Sequence, residues 1–188
     1  MRVVLASASP RRKELLSLLG LEFAIISPDV DESILAGEAP VELVERLAES
    51  KAAYCAVTYP DSLVIAADTV VLLDGQILGK PRDQEEARSM LSSLSGRYHE
   101  VWTGMAFATR GIAVIRSSMT RVEFCPLTDS TILKYIATGE PMDKAGSYGI
   151  QGIGGQFIRR LEGSYTNVMG LDLVVVREEL EKLGYVLG

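Results

Sequence analysis

The residues best suited to chemistry are one aspartate inside an apolar run and the cations directed towards it. Asp68 interrupts residues 63–73, Leu-Val-Ile-Ala-Ala-Asp-Thr-Val-Val-Leu-Leu, the most apolar stretch of the chain. In a strand it shares a face with Val64, Ala66, Val70 and Leu72. A carboxylate buried there alone would be costly, so it requires a cation, a metal or an opening. Small Ala66 and Ala67 leave room for a ligand. A buried ion pair with Lys51 is the purely structural alternative. An isolated acid at a strand centre ranks catalysis above it.

The cations come from two expected helices. Ser9-Pro10 reads as an N-cap with proline at the first helical position. A helix start normally attracts acids, yet Arg11 and Arg12 occupy this first turn. Arg12 also stands where a capping box would place Glu or Gln. At about 100° per residue the two arginines straddle the direction of Leu15 and Leu19, while Lys13 and Glu14 point away. Inward guanidiniums beside free N–H groups call for an anion, and phosphate suits the arginine fork. A solvated basic turn is the alternative. Lys51 falls about 20° from Val44, amid the apolar side formed by Val44, Leu47, Ala48, Ala52 and Cys55. It reads as a third inward cation, the alternative being a stem that snorkels outward. Cations around an embedded carboxylate suit metal-assisted hydrolysis of a polyphosphate. The acidic loop 27–33 offers Asp29, Asp31 or Glu32 to Mg²⁺, and its residues alone do not choose among them.

The elements that must position these groups follow from periodicity and punctuation. Val3, Val4 and Leu5 form a buried strand, and the helix after it stops at Gly20. A strand over 23–26, a helix over 40–59 and the strand over 63–73 come next. Asp74-Gly75 turns that strand into a hairpin with 76–78. Asp83 caps a helix with Glu86 as its capping-box partner, buries Ala87, Met90, Leu91 and Leu94, and ends at Gly96. Lys80 and Arg82 lie on the loop before it. A β-meander over 100–109, 112–118 and 120–124 turns at Arg110-Gly111. His99, the single histidine, has no ligand pattern around it and reads as structural. A capped helix over 128–138 buries Ile132, Tyr135 and Ile136 and stops at Gly139. Residues 143–155 are too glycine-rich for an element and too apolar for a linker. Their glycines let backbone approach a ligand, and Gln151 brings an amide that can read hydrogen bonds; a plain connector is the alternative. Strands over 157–161 and 166–169 and a helix over 173–183 complete the chain.

A length of 188 residues suits one domain, residues 1–188, or two lobes sharing a core. The net charge of −6 argues against non-specific binding to nucleic acid or anionic membrane. There is no signal peptide and no membrane-spanning run, so a cytoplasmic protein is expected. Two cysteines, Cys55 and Cys125, make neither a disulfide framework nor a zinc pattern.

Ser7-x-Ser9-Pro10-Arg11-Arg12-x-x-Leu15-Leu16 resembles the opening signature of the Maf family, nucleoside triphosphate pyrophosphatases named for septum formation. Ala67-Asp68-Thr69 resembles the end of its Gly-Ala-Asp-Thr block, with Ala66 in place of the glycine. Lys80-Pro81-x-Asp83 matches its Lys-Pro-x-Asp, and residues 143–152 resemble the form typical of its dTTP/UTP branch. The resemblance covers nearly the whole chain. It implies an α/β fold, a mixed twisted sheet with flanking helices and two lobes around a central cleft, like inosine triphosphatase. It implies a homodimer acting on a small nucleotide, with a divalent cation, Mg²⁺ or Mn²⁺, held by Glu32 and Asp68. It further implies Asp68 as catalytic base and Lys80 as a functional contact; Lys51, the inward cation of the wheel, would join Lys80 on the phosphates. Ser7, Arg11 and Arg12 would hold phosphate oxygens, and Thr69 and Gln151 would read the base. Two other readings remain: a nucleotide-binding regulator of cell division acting through a protein partner, and a phosphatase forming a phospho-enzyme. A carboxylate beside phosphates gives a mere binding pocket nothing, and Asp68-Thr69-Val70-Val71 lacks the second aspartate of the phospho-enzyme type.

Overall fold

A computed structural model describes residues 2–110 and 112–187, so the Gly111 half of the expected Arg110-Gly111 turn lies outside the described residues. Its strands are β1 (Val3–Ala6), β2 (Phe23–Ile26), β3 (Leu63–Leu73), β4 (Gln76–Leu78), β5 (Tyr98–Thr109), β6 (Ile112–Phe124) and β7 (Ile158–Glu162). Its helices are α1 (Pro10–Ser17), α2 (Pro40–Thr58), α3 (Gln84–Leu94), α4 (Asp129–Ile136), α5 (Tyr165–Met169) and α6 (Leu173–Lys182). The strands form one sheet in the order β2-β1-β3-β5-β6-β7, with β4 on β3. The sheet is mixed: β1 runs parallel to β2 and β3, whereas β4 and β7 pair antiparallel. No helix among the described residues is long and apolar enough to cross a membrane.

The chain divides into two compact units. The first takes in Met1–Asp68, Thr103–Ser118 and Gly170–Gly188. Its core joins α2 to the sheet through small residues, Ala48, Ala52 and Cys55 lying on Val4, Ala6, Val64, Ala66, Ala106 and Ala108. Close approach is built into this packing. A Cβ on Gly104 would stand 2.2 Å from the Val44 carbonyl oxygen of α2.

The second unit comprises Thr69–Trp102 and Met119–Met169. Here α3 and α4 bury Ala87, Leu91, Leu94, Ile132, Tyr135 and Ile136 with Val71, Phe124 and Phe157. His99 belongs to this core, 2 % exposed, with its Nε2 2.7 Å from the Tyr148 hydroxyl and its ring edge-on to Phe124. Burial drives its pKa down to about 3, so the imidazole is neutral.

Four local expectations need correction. Residues 112–124 form one strand, β6, and not two. Residues 112–119 are exposed or half-buried, so the polar residues there mark a solvated face and not a turn. Residues 165–169 are helical because Ser164 Oγ accepts the Asn167 N–H at 3.2 Å, a local cap that four residues of apolar pattern do not reveal. Glu86 receives the Asp83 cap, but its own carboxylate reaches the Arg82 N–H at 2.7 Å, one residue before the expected capping-box position. Residues 140–157 contain three short 3-10 turns.

Candidate active site

Register places the site. Ala6 of β1 pairs with Ile26 of β2 and with Ala66 of β3, so the three parallel strands reach the same rung together. β1 and β2 end there, but β3 runs on to Leu73. Asp68 therefore stands two residues past the last rung, without β1 beside it. Side-chain alternation puts it on the face of Val64 and Ala66, the face that packs on α2. Ser7 and α1 leave from the same strand end, as does the loop carrying Glu32. Loops at the carboxyl ends of parallel strands are the usual ligand sites of such sheets.

α2 brings Lys51 to this place. Its side chain is only 8 % exposed, and the ammonium lies 2.6 Å from Asp68 Oδ1 and 2.6 Å from Glu32 Oε1. The ion pair weighed as an alternative for Asp68 thus exists, and it includes a second carboxylate. Asp31 is otherwise engaged: its Oδ1 accepts the Ser33 N–H, which holds its carboxyl below the usual range, and Asp29 is exposed. The loop after Glu32 is fastened to α2 by Arg46, which donates to Glu38 and, at 3.0 Å, to the Ser33 carbonyl. Sequence reading misses this staple, since a Glu and an Arg eight apart across a loop carry no signal.

Arg12 turns inward as the wheel requires. Its Nε donates to the Gly170 carbonyl at 2.8 Å and Nη1 to Ser7 Oγ at 3.4 Å. Ser9 caps α1 by accepting the Arg12 N–H, and Ser7 Oγ accepts the Ser9 N–H at 3.1 Å. Burial lowers the Arg12 pKa, Asp68 and Glu32 oppose that fall, and neighbouring Arg11 adds to it. An arginine so placed keeps its charge while losing water. Lys13 and Glu14 are exposed, as expected.

Thr69 is the next residue of β3. In the second unit, Lys80 lies on an exposed loop and Gln151 on an exposed turn. Their two segments meet where the Gly146 N–H donates to the Gly79 carbonyl at 3.1 Å. Gly146 has φ +67°, and a Cβ on it would lie 2.9 Å from Val71. Arg82 pairs with Glu86 and is 83 % exposed, a solvated residue.

Glu140 is a further residue that sequence reading misses. Its carboxylate accepts from the Tyr135 hydroxyl and from the N–H groups of Ile153 and Gly154. Burial raises its pKa, but these donors outweigh burial and leave the group below the usual carboxylate range.

Among the described residues no three His, Cys, Asp or Glu side chains cluster to hold a metal. Glu32 and Asp68, however, already converge on one cation, the Lys51 ammonium. A hard divalent ion that takes one or two carboxylates and completes its shell with water and phosphate fits this donor pair.

The chain matches the family described as Maf-like protein over residues 2–183. It belongs to the Maf-like family. Curated relatives include the dTTP/UTP pyrophosphatase of Methylobacillus flagellatus, 50% identical over 97% of this chain and 93% of that protein. That of Shewanella denitrificans is 52% identical over 93% and 92%, and that of Symbiobacterium thermophilum 47% over 98% and 95%. The Staphylococcus aureus Ham1 protein aligns over 97% of this Maf-like chain and 99% of its own with a TM-score of 0.57. At 16% identity that likeness concerns the fold alone, an α/β fold with a mixed sheet and flanking helices.

Proposed function

We propose that this chain hydrolyses dTTP and UTP to the nucleoside monophosphate and pyrophosphate, residues 1–188 acting as one domain of a cytoplasmic homodimer. The observation carrying the reading is the convergence of Lys51, Glu32 and Asp68 beside inward Arg12. Asp68 takes a proton from a water whose oxygen bonds to the α-phosphorus as the bond to the bridging oxygen breaks. The electron pair leaves with pyrophosphate, whose charge Arg11, Arg12, Lys51 and Lys80 stabilise. Ser7 holds a phosphate oxygen. Thr69 and Gln151 read the base. Glu32 and Asp68 would hold Mg²⁺ or Mn²⁺, which when bound supplies neutralising charge to the phosphate oxygens. What supports the substrate is the name of relatives about half identical over nearly full length.

The test is product analysis with dTTP and UTP in the presence of Mg²⁺ or Mn²⁺. Monophosphate and pyrophosphate are expected, and diphosphate with orthophosphate would place the attack at the γ-phosphorus instead. Asp68→Asn keeps the shape but loses the base, so kcat is expected to fall by roughly 10²–10⁴. Turnover within a few-fold of wild type would move the base elsewhere.

A further inference from the structure

The segment carrying Gln151 has no regular ladder to hold it, yet it is tied down at both ends. On one side the Gly149 N–H donates to the Tyr135 hydroxyl at 3.2 Å, and that hydroxyl donates to Glu140 Oε1 at 2.8 Å. On the other, Ile153 N–H donates to Glu140 Oε2 at 2.8 Å and Gly154 N–H to Oε1 at 3.0 Å. Both carboxylate oxygens are therefore engaged, and the residues between the two ties include Gln151.

The glycines fit the clamp. A Cβ on Gly152 would stand 2.5 Å from Glu140 Oε1, and one on Gly154 would stand 2.6 Å from the Tyr135 hydroxyl. The turn closes on the carboxylate only because these positions carry no side chain. Tyr135 itself is seated by its ring, edge-on to Phe157 at 4.9 Å. A rigid side chain on α4 thus fixes a loop that its own backbone bonds would leave adjustable.

We propose that Glu140, braced by Tyr135, is the positioning residue that presents the Gln151 amide to the base and so sets nucleobase discrimination. This rests on the reading of Gln151 as the base-reading residue. Glu140 touches no substrate in this scheme. A charged carboxylate with two acceptor oxygens is required, because the three donors leave no place for an N–H. Glu140→Gln turns an NH₂ towards the Ile153 N–H and loosens that end of the loop, which then keeps only the Gly154 bond.

The experiment compares kcat/KM for UTP and GTP in wild type, Glu140→Gln, Tyr135→Phe, Gln151→Ala and the Glu140→Gln/Gln151→Ala double variant. Inhibition by inorganic triphosphate, a probe without a base, and thermal unfolding are measured alongside. Glu140→Gln is expected to lower the UTP-over-GTP ratio by about five- to fifty-fold through KM for UTP, while triphosphate inhibition stays at the wild-type level. Tyr135→Phe keeps the ring and loses the hydroxyl, giving a smaller fall in the same direction. The double variant is expected to discriminate no worse than Gln151→Ala, since both changes act through one amide. Multiplying losses in the double variant would overturn the proposal. So would unchanged ratios in Glu140→Gln and Tyr135→Phe beside a lowered ratio in Gln151→Ala. If Glu140→Gln fails to fold, the Tyr135→Phe ratio decides. An unchanged ratio in Gln151→Ala would instead overturn the base-reading role itself, and the proposal with it.

Discussion

Replacing Lys51 with Met separates the two duties that this side chain combines. Methionine keeps an unbranched apolar stem on the buried side of α2, which also carries Val44, Ala48 and Cys55, and removes the ammonium. At an effective dielectric of about 20, unit charges at the Lys51–Asp68 distance attract by roughly 6 kcal/mol, and desolvating an ammonium costs several. The terms nearly cancel for the pair, so the net effect depends on what stays behind. Glu32 is 56% exposed and turns to water. Asp68 is 13% exposed and retains the field of Arg12. The expected loss is therefore about 1–2 kcal/mol, below the full cost of breaking a buried pair, or about 2–8 °C in Tm. Two carboxylates without their ammonium should also bind Mn²⁺ better, so added Mn²⁺ should raise Tm more in the variant than in wild type. Turnover of dTTP, followed by pyrophosphate release, should fall by about one to three decades because a cation facing the phosphates is lost. A kcat within about threefold of wild type, with a Tm fall beyond about 10 °C, would refute the reasoning and leave Lys51 a structural residue.

His99 is buried neutral with its pKa depressed from 6.5 to about 3, so the unfolded chain binds a proton that the folded one excludes. Its contribution is complete above pH 6.5 and is lost at about 1.4 kcal/mol per pH unit as pH falls towards 3. His99→Gln, which keeps a partner for Tyr148, should flatten the dependence of urea-unfolding stability on pH below 6.5; an unchanged slope would remove His99 as its source. Gly104→Ala places a Cβ against the Val44 carbonyl and should cost about 1–3 kcal/mol by urea unfolding, with a loss under about 1 showing that α2 can shift aside.

The local devices are legible in the sequence because each depends on residues a few positions apart. The Ser9 cap before Pro10, the Asp74-Gly75 turn with φ 50° and 80°, the apolar side of α2 and the αL stops at Gly20 and Gly139 are of this kind. So is the inward direction of Arg12 and Lys51, since helical spacing alone decides which way a side chain faces. Tertiary structure decides everything that depends on register or on a distant partner. No periodicity states that β1 and β2 end at Ala6 and Ile26 on one rung while β3 continues, although that offset uncovers Asp68. The choice of Glu32 over Asp31 at Lys51 follows from a local Asx-type bond at Ser33 together with the Arg46 staple, and the staple, made across a loop, leaves no pattern. The division of residues 112–124 fails because exposed strand and turn share a composition. Glu140 is invisible because its three donors lie at Tyr135, Ile153 and Gly154, and only the folded chain makes them neighbours.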